Sequence, residues 1–199
     1  MRKRTLCLVA LCLAAGSMVG ETVSLHGQGT VLDLDATLTK VEFTLGDVLH
    51  TVHGSFKLKS GSIHFDPATG QASGELVVDA GSGATGSEAR DNRMRTKILE
   101  SERFPEITFK PDRFEGHLTA EGESAIDLHG MFGIHGSEHE ITVPVVVKLE
   151  VDHWTASAHF QVPYVKWGMK RPNALFLRVG DTVDIDFRAA GGLVSSAVP

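Results

Sequence analysis

Three observations predict an all-β protein: a single antiparallel sheet closed into a barrel of about eight strands, or else a sandwich. Apolar and polar residues alternate with period two through most of the chain. Turn signals punctuate that alternation at short intervals, and no repeated helical segment is present to cross between parallel strands. The one break is a charged segment around residues 87–103, predicted as a short helical cap.

The first twenty residues stand outside the fold. Arg2, Lys3 and Arg4 precede an apolar run from Leu6 to Ala15 and then small residues, the anatomy of a secretory signal peptide. The run is too short for a hydrocarbon core that needs about 20 residues, so no permanent membrane anchor is expected. Leu11 before Cys12 argues against a lipoprotein signal. Residues 1–20 are assigned to the signal, with cleavage after 17 or after 20. Residues 21–190 are assigned to the barrel domain and 191–199 to a loose tail. The expected location is periplasmic or secreted.

Cleavage removes both cysteines, Cys7 and Cys12, and with them any disulfide, thiol nucleophile or thiolate-bound metal. It also removes three positive charges, taking the net charge from −6 to −9. A chain that acidic repels phosphate backbones and anionic lipid head groups, so no nucleic-acid partner is expected.

The strands follow in order. In VLDLDATLTKVEFTL the apolar parity moves from Leu32, Leu34 and Leu38 to Val41, Phe43 and Leu45, which predicts a bulge or bend. GSFKLKSGSIHFD reads as a hairpin turning at Ser60-Gly61, with further strands at 74–78 and 106–110. Ile126, Leu128, Phe132 and Ile134 share one parity against Asp127 and His129. Val143, Val145, Val147, Leu149 and Val151 alternate with Pro144, Val146, Lys148 and Glu150. Ala156, Ala158, Phe160 and Val162 form the next dry face, and Val183, Ile185 and Phe187 the last. Turns are predicted at Asp66-Pro67, 80–83, Gly136-Ser137 and Gly180-Asp181.

In the charged insert, Ser87 is an N-cap candidate and Glu88 places negative charge in the first turn. Ala89, Met94 and Ile98 fall near one side, with Arg90, Asp91, Arg93, Arg95 and Lys97 mostly elsewhere. The segment is either a solvated connector or a lid over a barrel mouth.

Catalytic patterns are weak. His50/His53 and His135/His139 lack the helical spacing of a zinc motif, and His129 and His135 stand about 20 Å apart along one strand. Scattered surface histidines are the simpler reading, and no metal site is assigned. There is no nucleophile elbow, phosphate loop or dinucleotide fingerprint. The pairs Asp33/Asp35 and Asp184/Asp186 occupy the polar parity of strands, where carboxylates are solvated. No catalytic residue is assigned, and the chain is not expected to be an enzyme. The inward parity, by contrast, is apolar, and a barrel of about eight strands is either filled by its own side chains or holds one small ligand.

Four pieces in order carry a resemblance. ARDNRMRTKILESERFPEITF combines an Arg-Asp pair opening a helical stretch with a Phe-Pro-x-Ile-x-Phe strand. GSIHFDPATG is a G-x-I-x-F-D-P hairpin, IHGSEHEITVPVVV a second hairpin, and VKWGM with VGDTVDIDF the closing strands. Together, over about residues 30–190, they resemble the polyisoprenoid-binding YceI-like family. That resemblance implies a lipocalin-like barrel whose apolar lumen holds a long isoprenoid or related lipid, commonly in the periplasm. Leu38-Thr39 stands where the family has a His-Ser pair, a strand-end His is missing from TLGDVLH, and residues 164–168 replace an Arg-x-Asp-Phe-Gly. Head-group preference therefore does not carry over, whereas the apolar lumen does.

The expectation is an exported carrier that holds a polyisoprenoid or isoprenoid quinone as its apolar lipid partner, needs no other cofactor, and leaves a homodimer open. Its candidate ligand-binding residues are Phe43, Leu45, Phe56, Met94, Ile98, Phe109, Leu128, Phe132, Phe160 and Trp167. The alternatives are a His-rich metal-binding or hydrolytic protein, and a filled barrel acting as a stress-related interaction module.

Overall fold

The computed structural model describes residues 29–46, 51–172 and 179–193. The proposed signal, its cleavage site, His50 and the last six residues of the proposed tail lie outside them. Nine strands are described: β1 (Thr30–Asp33), β2 (Lys40–Gly46), β3 (Thr51–Asp66), β4 (Gln71–Ala84), β5 (Glu106–Gly116), β6 (Gly122–Ile134), β7 (Ser137–Leu149), β8 (His153–Val162) and β9 (Val183–Gly192). Between β4 and β5 lie a helix, α1 (Glu88–Arg93), and a π-helical turn over Met94–Ile98.

The sheet is antiparallel and closed. β2 pairs with β9, the order then runs β8, β7, β6, β5, β4, β3, and β3 returns to β2. β1 is the additional strand and pairs with the last part of β3, from Ser62 to Phe65. At about 3.4 Å per residue and a tilt near 40°, strands the length of β6 make a barrel roughly 33 Å tall. One end, called the floor, carries the β3–β4, β5–β6 and β7–β8 turns. The cap end carries the helical insert, the β6–β7 turn and, of the residues between β8 and β9, those described at 163–172 and 179–182.

The parity change after Leu34 is a turn. Asp35 organises it by accepting from the Thr37 N–H at 2.7 Å and the Thr37 hydroxyl at 2.6 Å. Those hydrogen bonds, the hydroxyl's first, hold the Asp35 carboxyl below the usual carboxylate range. Asp35 thus belongs to a turn rather than to the polar face of a strand. Leu38, read as part of the dry face, is 58% exposed within it.

Two expected turns are instead strand. β3 runs unbroken through Ser60-Gly61, with a register shift against β4 between Leu58 and Ser60. Gly61 is small because Leu76 and Leu34 lie over it, and a Cβ there would stand 2.7 Å from Leu76 Cδ2. Residues 80–83 remain in β4, where the Ser82 hydroxyl accepts from the Lys57 N–H at 2.8 Å and donates to the Asp79 carbonyl at 2.6 Å. That is a bulge bridged by a side chain. The real β3–β4 turn follows Asp66, whose carboxylate accepts from the Ala68 N–H and the Thr69 hydroxyl.

The β6–β7 turn is a two-residue loop, His135-Gly136, with both φ angles positive at 51° and 75°. This geometry matches the twist of a tight hairpin. β7 ends at Leu149, so Val151, placed on the dry face by its alternation, is 89% exposed in the next turn. β9 reaches Gly192, two residues into the stretch read as tail. Alternation shows which side a residue faces but not where its strand stops.

Candidate ligand-binding lumen

The inward parities of the eight closed strands enclose a cavity of about 850 Å³. That lies in the upper part of the range for small-molecule sites. Its wall is almost wholly aliphatic and aromatic. Phe43 and Leu45 come from β2, Phe56 from β3, Phe109 from β5, Leu128 and Phe132 from β6, and Phe160 from β8. Phe43 and Phe56 have ring centroids 5.2 Å apart, and Phe132 meets Phe160 edge-on at 6.2 Å. Ala156 and Ala158 on β8 also line the cavity, and their small side chains widen it at mid-height.

The floor is closed by bulk. Trp154 and Phe65 line it and are 1% and 2% exposed, with Phe114, Leu118 and Leu149 buried behind them. Phe65 and Phe114 meet edge-on at 5.4 Å. Trp154 lies flat because its partner on β9 is Gly191, where a Cβ would stand 2.2 Å from the Asp33 carbonyl oxygen and 2.8 Å from Trp154 Nε1. The buried indole N–H has no acceptor among the described residues.

The cap end is built by the insert. Ser87 is the N-cap of α1 by backbone geometry, its carbonyl accepting from the Asp91 N–H at 2.9 Å, without a side-chain cap bond. The helical part spans Glu88–Ile98, shorter than the 87–103 expected. Ala89, Met94 and Ile98 line the cavity as their spacing predicts. Met94 docks on bare backbone, since a Cβ at Gly83 would stand 2.4 Å from Met94 Cε. Beyond Ile98, Phe104 lies over Gly136, 4.7 Å from the His135 ring, with the Arg103 guanidinium 4.9 Å from the Phe104 centroid.

The charges of the insert divide differently from the pattern. Asp91, placed by the pattern off the side of Ala89, Met94 and Ile98, is 9% exposed and accepts from the Thr85 N–H at 2.9 Å and the Thr85 hydroxyl at 2.5 Å. Arg90 Nε donates to Thr85 Oγ1 at 2.7 Å and Arg90 Nη2 to the Thr85 carbonyl at 3.1 Å. The Arg-Asp pair therefore clamps the insert to the end of β4. Arg90 and Arg93 also line the cavity, at its rim. Helical periodicity separates faces but does not mark where a helix edge meets an opening.

Nine of the ten residues expected to line the lumen do so. Trp167 does not: it packs on Phe132 at 5.7 Å and stacks on the His139 ring at 4.1 Å, with the planes 3° apart. Its segment turns sharply through Gly168, where φ is +89°. Tyr164 of that segment lines the cavity and donates from Oη to the Gly180 carbonyl at 2.7 Å. Burial pushes its phenol up from the ordinary value, which keeps it neutral. Tyr164, Trp154, Arg90 and Arg93 were not among the candidates. For Trp154 a signal existed, because it shares parity with Ala156 and Ala158.

The histidines are not all surface groups. His129 and His139 each carry a buried ring nitrogen without a hydrogen-bond partner among the described residues, although His129 Nδ1 bonds the Thr142 hydroxyl at 2.8 Å. His129 Nε2 is 3.4 Å from Glu115 Oε1, close enough for charge attraction but not aligned as a hydrogen bond. Among the described residues no three His, Cys, Asp or Glu side chains group where an ion could be held. Of the carboxylate pairs, Asp33 takes the Ser62 hydroxyl at 2.6 Å, and Asp184 and Asp186 bond Gln161 and His159 across the β8–β9 ladder.

The sequence model of a family described as YceI-like domain matches residues 32–190. No curated protein matches the chain. Among solved structures, BcnA of Burkholderia cenocepacia superposes with a TM-score of 0.65 at 18% identity, covering 80% of this chain and 99% of that one. A polyisoprenoid binding domain from Saccharophagus degradans, implicated in plant cell wall breakdown, superposes at 0.62 with 17% identity, over 84% of this chain and 100% of the other. A YCEI protein of Campylobacter jejuni gives 0.57 at 17% identity, over 74% and 88%. At these identities the likeness is one of fold.

Proposed function

The chain belongs to the YceI-like family, and on that premise we propose that its lumen holds one long apolar lipid of the polyisoprenoid class, which the protein carries outside the cytoplasm. The observation that carries this reading is the closed barrel enclosing about 850 Å³ behind an almost continuous apolar wall. A barrel used only as a rigid module would have that volume filled by its own side chains. The Saccharophagus degradans relative of the same fold, described as polyisoprenoid binding, supports the ligand class.

The mechanism is desolvation. A lipid burying on the order of 600 Å² gains ~15 kcal/mol gross, at about 25 cal/mol per Å². Lost translational and rotational freedom takes back a large part. A net of about 8 kcal/mol is micromolar binding, reached without any ionic contact. The preformed barrel wall keeps the ordering cost small. Export rests on the basic start and apolar run of residues 1–20. N-terminal sequencing of the protein recovered from its host tests it, because cleavage after 17 or 20 gives a defined new terminus.

Native mass spectrometry of the host-purified protein, followed by organic extraction, tests the carrier reading. The expected result is a mass increment that yields a long-chain lipid on extraction. Protein with no such increment that also takes up no polyprenol from detergent overturns it.

A further inference from the structure

We propose that the cap end of the barrel docks on an anionic lipid bilayer and so holds the mouth of the lumen against the lipid surface. The docking follows from where the charges lie. Its use, passing a guest between barrel and bilayer without a crossing through water, rests on the carrier reading of the lumen. The described cap segments, residues 86–105, 163–172 and 179–182, carry eight Lys or Arg and five Asp or Glu, a balance of +3. The whole chain is −6, so the remainder is −9. Residues 47–50 and 173–178 contribute one charge of each sign, Asp47 and Arg178, and leave the contrast unchanged.

Pairing sharpens the difference. Away from the cap, Lys59, Lys110, Arg113, Lys148 and Arg188 each stand beside a carboxylate. At the cap, Arg95, Lys97, Lys166 and Lys170 have no carboxylate partner among the described residues, and the three lysines are exposed. Three of the five cap acids are engaged. Asp91 takes the Thr85 N–H and hydroxyl, Asp181 pairs with Arg171, and Glu100 Oε1 is 3.6 Å from His135 Nε2. Glu88 and Glu102 are the two left exposed.

Net charge pulls the other way, and distance decides between them. Salt screens a charge over about 8 Å at physiological ionic strength, and the barrel is roughly 33 Å tall. A bilayer at the cap therefore senses the local surplus of cations, whereas the same bilayer brought to the floor or flank meets the acidic remainder and is repelled. The repulsion predicted from net charge applies to the wall and not to the mouth. The cap cations come from two separate segments, and no large exposed hydrophobic side chain stands among them in the described residues. Charge spread in that way suits a smeared lipid surface better than a protein partner, which needs buried anchors at its centre. Adsorption without an apolar anchor is reversible, as a carrier that leaves the membrane again requires.

The test is flotation of the protein recovered from its host with vesicles of phosphatidylcholine, alone or mixed with phosphatidylglycerol, at low, physiological and high salt. A surplus of two cations, each worth about fivefold in partition near an anionic surface, predicts about a twenty-five-fold preference for the mixed vesicles. The preference should shrink as salt is raised. Lys166→Glu with Lys170→Glu should bring binding down to the level of the neutral vesicles. Lys40→Glu with Lys148→Glu makes the same change in net charge away from the cap and should leave the preference within about twofold. All four lysines are exposed, where substitution disturbs folding little. Equal loss in the two double variants shows that net charge and not the cap governs binding, and overturns the proposal. No preference for the mixed vesicles at low salt also overturns it, leaves the carrier reading untouched, and turns the cap charge towards an acidic protein face. Docking by protein that yields no lipid on extraction upholds the proposal while the carrier reading falls by its own test.

Discussion

Ala158 offers a direct way to separate an open lumen from an ornamental one. It faces inward from the middle of β8, opposite Val145 of β7 and Phe187 of β9, and lines the cavity. Ala158→Phe would place a ring inside the barrel where a guest is proposed to lie. If the ring displaces about four chain carbons, the loss at about 0.8 kcal/mol each is ~3 kcal/mol, or affinity weaker by about two hundredfold. Folding stability should move the other way or hardly at all. The cavity has room for the ring, whose burial gains about 2 kcal/mol against a repacking cost of similar size. The assay pairs polyprenol titration by tryptophan fluorescence with thermal denaturation of the guest-free protein. Undiminished binding by a well-folded Ala158→Phe protein would refute the placement of the lipid in the lumen. So would a melting temperature depressed by more than ten degrees, because that would mean the space is already filled.

Other substitutions probe the frame. Asp91→Ala removes the acceptor of the Thr85 N–H and hydroxyl. It should cost about 1–3 kcal/mol in chemical denaturation and speed amide exchange across residues 85–99. Gly191→Ala sets a Cβ 2.2 Å from the Asp33 carbonyl, and is expected to destabilise by about 2–3 kcal/mol, as overpacking against backbone does. Retention of the parent melting temperature would contradict the close packing of the floor. The His153 ring is held above the ordinary value of 6.5, first by its hydrogen bond to Asp152. Its small contribution to stability is complete below that ordinary value and fades as pH rises through the folded midpoint. Asp152→Asn should lower that midpoint, read by NMR titration of the ring protons.

The wall of the barrel was legible because parity is a local property. Phe132, Phe160 and Val147 each face inward for the same reason, that every second side chain of a strand does. The predicted bend after Leu34 and the tight turn beside Gly136 are likewise encoded within a few residues. What alternation could not show is where glycine serves packing rather than turning. Gly61 and Gly83 resemble loop residues in sequence, yet each lies under a side chain from elsewhere, Leu76 in one case and Met94 in the other. The rim arginines were missed for a related reason. A helical wheel separates wet from dry faces, while Arg90 and Arg93 lie at the edge between them. Trp167 was misplaced because its route depends on the sharp backbone turn at Gly168.

The closed floor makes the barrel a blind tube, and that fixes the kinetics of any chain-like guest. Whichever end enters first leaves last, so release runs as the reverse of loading and through the same rim. Each further carbon lengthens the residence time while entry, set by the opening, changes little. A tube of this kind favours retention over rapid exchange, and quick hand-over requires an acceptor that engages the cap itself.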